Sequence, residues 1–192
     1  MKPAICLVTY DRGQPPDAIL AEVVRRLTGS AVRVGGLLQS DDGTAAPGAT
    51  LFLQDIGSGR RVRIFEERGP AARGCRLASY GLAEAAAWLD AAIETRPEVV
   101  FVNRFGREEA AGRGLLSGIA TAVVAGLPLV VPLDRTLLTA WDGFAGDVGA
   151  RLPPNPDGIE AWCRARTVAS TFVSGCEEAL EGVKGDAPAR GA

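Results

Sequence analysis

The sequence predicts a three-layer α/β protein whose mostly parallel sheet carries an inserted antiparallel hairpin. Three observations predict it. Apolar runs near Ile5–Tyr10, Val32–Gln39, Glu98–Arg104 and Leu127–Leu133 suit strands covered on both faces. Segments with helical periodicity separate them, as in α/β folds. Two stretches of alternating apolar and polar residues, Thr50–Ile56 and Arg61–Glu67, flank Gly57-Ser58-Gly59 and read as a hairpin.

In chain order, the first strand leads through Asp11–Pro16 into a helix marked by Ile19, Leu20, Val23, Val24 and Leu27. Pro15 or Pro16 followed by Asp17 suits its first turn, and Gly29-Ser30 ends it. Between the second strand and the hairpin, Ser40–Gly48 is rich in Asp, Gly, Ala and Pro and is expected as an exposed loop. Leu82, Ala85, Ala86, Leu89 and Ile93 mark the next helix, closed by Arg96-Pro97. Another carries Leu115, Leu116, Ile119 and Val123 and stops at Gly126. After the strand ending near Leu133 come a short segment around Trp141 and Phe144, a turn at Pro153-Pro154-Asn155-Pro156, and a final helix. Ile159, Trp162, Ala165, Ala169, Phe172, Val173, Cys176 and Leu180 are expected on one face of it. Residues 1–183 read as one domain and 184–192 as a disordered tail.

Composition excludes several functions. The 192 residues include no histidine, so a Ser-His-Asp triad, a histidine base and histidine-ligated metal are ruled out. Only Lys2 and Lys184 can supply lysine chemistry, and neither is well placed for a site. Net charge is −2 with mixed signs, so no general attraction to nucleic acid is expected. No apolar stretch approaches the roughly 18 residues of a membrane span, which predicts a cytoplasmic protein without membrane insertion. Cys6, Cys75, Cys163 and Cys176 lack CxxC spacing and are expected as reduced thiols, with no metal site.

Ligands of open parallel sheets bind beyond the carboxyl ends of the strands. That rule selects the loops Tyr10–Gln14, Arg104–Gly114 and Asp134–Thr136. The first opens a helix N-terminus, which favours an anion. Arg12, Arg104, Arg107, Arg113 and Arg135 lie in or beside these loops and could grip an oxyanion in bidentate fashion. The alternative is that they are solvated surface residues. Asp11, Glu108 and Glu109 are placed to neutralise some of them. Gly112 and Gly114 would each cost a helix about 1 kcal/mol relative to alanine, so they mark a loop or a close backbone approach.

The segments Gly35-Gly36-Leu37-Leu38-Gln39, Cys75-Arg76-Leu77 and Asn103-Arg104-Phe105-Gly106 through Gly112-Arg113-Gly114 resemble a bacterial family known only as a domain of unknown function. That family is related to P-loop proteins and is often encoded beside molybdate-transport genes. Residues 1 to about 134 also resemble P-loop nucleoside triphosphatases typified by thermophilic enzymes. Asn103, Arg104, Phe105, Gly106 and Glu109 stand where those carry Asp, Glu, Ile, Gly and Glu. The resemblance implies a P-loop-like fold, but the phosphate loop departs from its motif. Walker A loops end in Gly-Lys-Ser/Thr, with lysine on the β- and γ-phosphates and the hydroxyl on magnesium. Here the loop is Thr9-Tyr10-Asp11-Arg12-Gly13-Gln14-Pro15-Pro16-Asp17, and its two prolines remove N–H donors. Efficient triphosphate hydrolysis is therefore not expected.

Three readings follow. The first is a non-hydrolytic binding or accessory protein holding a nucleotide or a molybdate-like oxyanion. Its binding residues would be Thr9, Tyr10, Asp11, Arg12, Gly13, Gln14, Asn103, Arg104, Gly106, Arg107 and Arg113. The second is a metal-independent nucleotide phosphatase or transferase with Glu109 or Asp11 as base. The third is an interaction module or homo-oligomer using Trp141, Phe144 and Trp162; the alternative for these aromatics is the core.

Overall fold

The computed structural model describes residues 4–40, 51–66, 76–77 and 79–167. Residues 41–48 of the expected loop, Cys75, the 184–192 tail and the final-helix positions from Ala169 to Leu180 lie outside them.

The described elements are β1 (Ile5–Tyr10), α1 (Asp17–Gly29), β2 (Val34–Ser40), β3 (Phe52–Asp55), β4 (Arg61–Arg63), β5 (Phe65–Glu66), β6 (Arg76–Leu77), α2 (Ser79–Glu94), β7 (Val99–Phe101), α3 (Arg107–Ala110), α4 (Leu116–Val124), β8 (Leu129–Asp134), a 3-10 turn (Arg135–Leu137), α5 (Leu138–Ala145) and β9 (Ala150–Leu152). A helix over 156–167 follows and is numbered α6. Seven strands form one sheet in the order β4-β3-β2-β7-β8-β1-β9. The β2–β7, β7–β8, β8–β1 and β1–β9 pairs are parallel, whereas β2–β3 and β3–β4 are antiparallel. The expected mostly parallel sheet with an antiparallel insertion is therefore present.

Every residue of β1 is buried, and the alternation along it divides the core. Ile5 and Leu7 join Leu89, Ile119 and Trp141 beneath α2, α4 and α5. Cys6 and Val8 join Leu20, Val23, Leu27, Ile159 and Cys163 beneath α1 and α6. Because successive strand side chains point to opposite faces, a strand buried on both must be apolar throughout. Cys6 and Cys163 are free, and burial pushes each thiol up to about 12, so neither is a reactive thiolate.

The structure settles one open alternative, corrects two expectations and adds one strand. Trp141 is fully buried and meets Phe105 edge-to-face at 5.2 Å, so of its two readings the core one holds. Ala165 is exposed: six residues beyond Ile159 is about one and two-thirds turns, which carries it away from the face of Ile159, Cys163 and Thr167. The second hairpin arm ends at Arg63, because Phe65–Glu66 turns away to pair with Arg76–Leu77. An unexpected edge strand, β9, pairs with β1 in the register Cys6↔Ala150 to Val8↔Leu152. No helix among the described residues is long and apolar enough to cross a membrane.

Candidate anion-binding site

β1 and β8 run side by side with Tyr10 opposite Asp134, so both strands end at the same level. Phe105, just beyond β7, bridges to Leu133 and brings its loop to the same edge. Between these ends lies a cavity of about 310 Å³ lined by Tyr10, Arg12, Phe105, Gly106, Arg107, Asp134, Thr136 and Leu137. That volume falls at the small end of the range for small-molecule pockets, about 300–1,000 Å³.

Arg12 and Arg107 are exposed, and among the described residues neither has an ion-pair partner. In the same cavity, Asp134 Oδ1 accepts the Thr136 N–H at 2.9 Å and its hydroxyl at 2.8 Å. The Thr136 backbone N–H, helped by its hydroxyl and by Arg12 and Arg104, holds the Asp134 carboxyl below its usual range. Burial pushes the Tyr10 phenol upward, with Arg104 pulling the other way, so Tyr10 stays protonated at neutral pH. The cavity thus presents two unspent guanidinium groups, one carboxylate and one phenolic hydroxyl.

Behind this wall the charges are already matched. Arg104 Nη2 donates to both oxygens of Asp17, at 2.8 and 3.0 Å, and Gln39 Nε2 donates to Oδ2 at 3.0 Å. Asp17 is the first residue of α1, where a carboxylate is favoured by the helix dipole. Among the described residues the buried Asn103 Oδ1 and Arg104 Nε have no hydrogen-bond partner.

Glu109, one of the two candidate bases, is held by backbone N–H groups. Its Oε2 accepts the Gly106 N–H and its Oε1 the Leu115 N–H, both at 2.8 Å, and the side chain is buried. One carboxylate thereby ties together both ends of the 106–115 loop. Gly114, at φ +64°, leaves it room: a Cβ there would collide with Oε1.

The expected residues are only partly gathered. Tyr10, Arg12, Gly106 and Arg107 line the cavity. Asp11 points to Arg135 at 3.3 Å, both on the surface. Arg113 pairs with Glu108 at 2.8 Å, outside the cavity. The Thr9 hydroxyl donates to the Leu152 carbonyl of β9 at 3.4 Å. Gln14 closes a turn onto Asp11, with Gly13 at φ +86° inside it. Four cavity residues, Phe105, Asp134, Thr136 and Leu137, are absent from the candidate set, and the two polar ones, Asp134 and Thr136, sit in a loop that the strand-end rule does select. Asp17 was legible only as a first-turn acid.

Residues 5–162 match the family described as "Protein of unknown function (DUF2478)". The chain belongs to this family. It is 32% identical, over 164 residues and 83% of its length, to a segment of "Molybdenum import ATP-binding protein ModC 2" of Bradyrhizobium diazoefficiens. The chain spans only 18% of that relative. Its fold is similar to that of THEP1 from the hyperthermophile Aquifex aeolicus, with a TM-score of 0.60 at 11% identity over 84% of this chain and 95% of that one. A human cancer-related nucleoside triphosphatase is likewise similar, with a TM-score of 0.57 at 14% identity over 90% of this chain and 97% of that one. The fold is therefore P-loop-NTPase-like.

Such folds imply a magnesium nucleotide, and the residues here do not fit the metal. The position of the magnesium-binding hydroxyl after the loop is taken by Asp17, whose carboxylate is bonded to a guanidinium. Asn103 and Arg104 stand where the related enzymes carry Asp and Glu, so an amide and a guanidinium replace two carboxylates, and the guanidinium would repel a cation. Among the described residues no group of three or more Cys, Asp or Glu converges as a metal site.

Proposed function

We propose that this DUF2478 protein is a non-hydrolytic or very weakly active binding or accessory protein that holds an anionic small molecule, a nucleotide or a molybdate-like oxyanion, without a metal. The observation that carries this reading is the cavity at the ends of β1 and β8 with Arg12 and Arg107 unspent inside it. Guanidinium groups supply fixed, planar donors suited to tetrahedral oxyanions. Further support comes from the Arg104–Asp17 pair, which satisfies internally the place where a P-loop would engage metal and phosphate. The similarity to part of a protein named for molybdenum import makes molybdate one ligand worth testing and an import ATPase one partner worth testing.

Isothermal titration with molybdate, tungstate, sulfate and nucleotides, with and without magnesium, tests the reading. Binding that is indifferent to magnesium is the expected result. No binding of any of them at millimolar concentration removes it. Phosphate release from a nucleotide without magnesium would instead favour the metal-independent phosphatase reading.

A further inference from the structure

The cavity holds a carboxylate as well as two arginines, and a bare oxyanion has no use for a carboxylate. Asp134 spends one oxygen, Oδ1, on Thr136. Among the described residues its Oδ2 carries no hydrogen bond, and the residue lines the cavity with Arg12 and Arg107. We propose that Asp134 makes this cavity selective for oxyanions that carry a hydroxyl, such as hydrogen phosphate or a nucleotide with its ribose hydroxyls, over sulfate, molybdate and tungstate, which carry none at neutral pH.

The argument is one of sign. An anion seated between Arg12 and Arg107 brings its remaining oxygens toward Asp134. If every one of those oxygens is bare, the nearest meets a like charge, and the cost grows as water is excluded. If one of them bears a proton, the same contact becomes a hydrogen bond from a hydroxyl to a carboxylate, among the stronger kinds. The attractive element is thus the arginine pair, and the discriminating element is the carboxylate set against the wrong ligand. The Thr136 N–H and hydroxyl, together with Arg12 and Arg104, favour the ionised form of Asp134, so it does not readily adapt by taking up a proton itself. Protonated Tyr10 adds a donor and does not repel either ligand class.

This inference rests on the anion-binding reading and can fail separately from it. Titrate the purified protein at pH 7 with inorganic phosphate, AMP, sulfate and molybdate, and repeat with Asp134→Asn. Phosphate or AMP should bind at least about tenfold more tightly than sulfate or molybdate, because sites built to pair a ligand hydroxyl strongly reject analogues without it. Tighter AMP than phosphate assigns the hydroxyl to a nucleotide, and the reverse assigns it to free hydrogen phosphate. Asp134→Asn keeps an oxygen for Thr136 and gains an N–H₂ donor, so sulfate should bind about tenfold more tightly and the preference should collapse. Sulfate or molybdate binding the wild type as tightly as phosphate and AMP overturns the proposal, and that ratio decides alone if the variant does not fold. An unchanged ratio in folded Asp134→Asn also overturns it. Unselective binding abolished by Arg12→Ala would sink only the selectivity, whereas no anion binding at all sinks the parent reading with it.

Discussion

Arg104 lies 2.8 Å from Asp17, joining the loop after β7 to the first turn of α1 across 87 positions of sequence. Both side chains are three-quarters buried. In a P-loop protein that junction engages phosphate and magnesium; here a guanidinium and a carboxylate satisfy each other. Asp17→Ala should therefore cost roughly 1–3 kcal/mol, as expected when a charge-assisted pair loses one partner. Urea denaturation at pH 7 measures it. The variant should also bind small oxyanions more tightly, since Arg104 is released toward the cavity; weaker binding would show that the pair shapes the pocket instead of competing with it.

Arg12→Ala and Arg107→Ala should each weaken anion binding about tenfold or more, the loss expected for a hydrogen bond to a charged group. Arg113→Ala should leave affinity unchanged, because Arg113 is spent on Glu108 at the surface. Titration of the three variants side by side separates the cavity from the wider arginine cluster.

Glu109 should behave as a loop clamp. Glu109→Gln keeps one good acceptor for two backbone N–H groups, so one amide loses its partner and stability falls by about 1–3 kcal/mol. The loss should appear in thermal melts, with anion affinity falling only as far as Gly106 and Arg107 shift. A variant of wild-type stability that had lost phosphate-releasing activity would instead identify a base.

Acid should loosen the attachment of α6 to α1. Arg26 binds Glu22, Asp157 and Glu160, and Arg164 binds Glu160. Hydrogen bonds from Arg25 and Arg26 hold Glu22 at about 2, and Arg164 holds Glu160 below its usual value. Both carboxyls are depressed by folding, so their contribution is complete above the ordinary value of about 4.5 and is lost as pH falls toward about 2. Urea midpoints across that interval should fall with pH, and Arg26→Ala should flatten the slope. High salt should weaken the effect, since the pairs are at the surface.

Gly36 should tolerate no side chain. It faces Phe101 in the β2–β7 register at φ +107°, and a Cβ would collide with the Phe101 carbonyl. Gly36→Ala should destabilise by more than about 4 kcal/mol, combining strain with steric overlap. Gly35→Ala, whose Cβ would meet side-chain carbons of Pro97 and Ala92 instead of backbone, should cost less. Comparing soluble yield and urea midpoints of the two checks the difference.

Much of the fold was written locally. The six buried residues of β1, the α1 stripe Leu20, Val23, Val24 and Leu27, and the hairpin glycines announce their elements because backbone geometry converts residue spacing into faces. The strand-end rule selects the loops that carry Tyr10, Arg12, Gly106 and Arg107, all of which line the cavity. β9 was not legible: three residues, only partly covered, form a strand because β1 offers a parallel edge more than 140 residues away in sequence. The same limit applies to the charges. Arginine-rich loops looked alike in sequence.

The sequence by itself determined the layered α/β architecture and the absence of lysine from Thr9 to Asp17, since both depend on residue type and near-neighbour spacing. Only the tertiary structure decided which charges are spent. Arg104 found Asp17, Arg113 found Glu108 and Arg135 found Asp11, leaving Arg12 and Arg107 to line the cavity together with Asp134. An ion pair depends on distance in space, and chain spacing carries that information only within a helical turn or a hairpin.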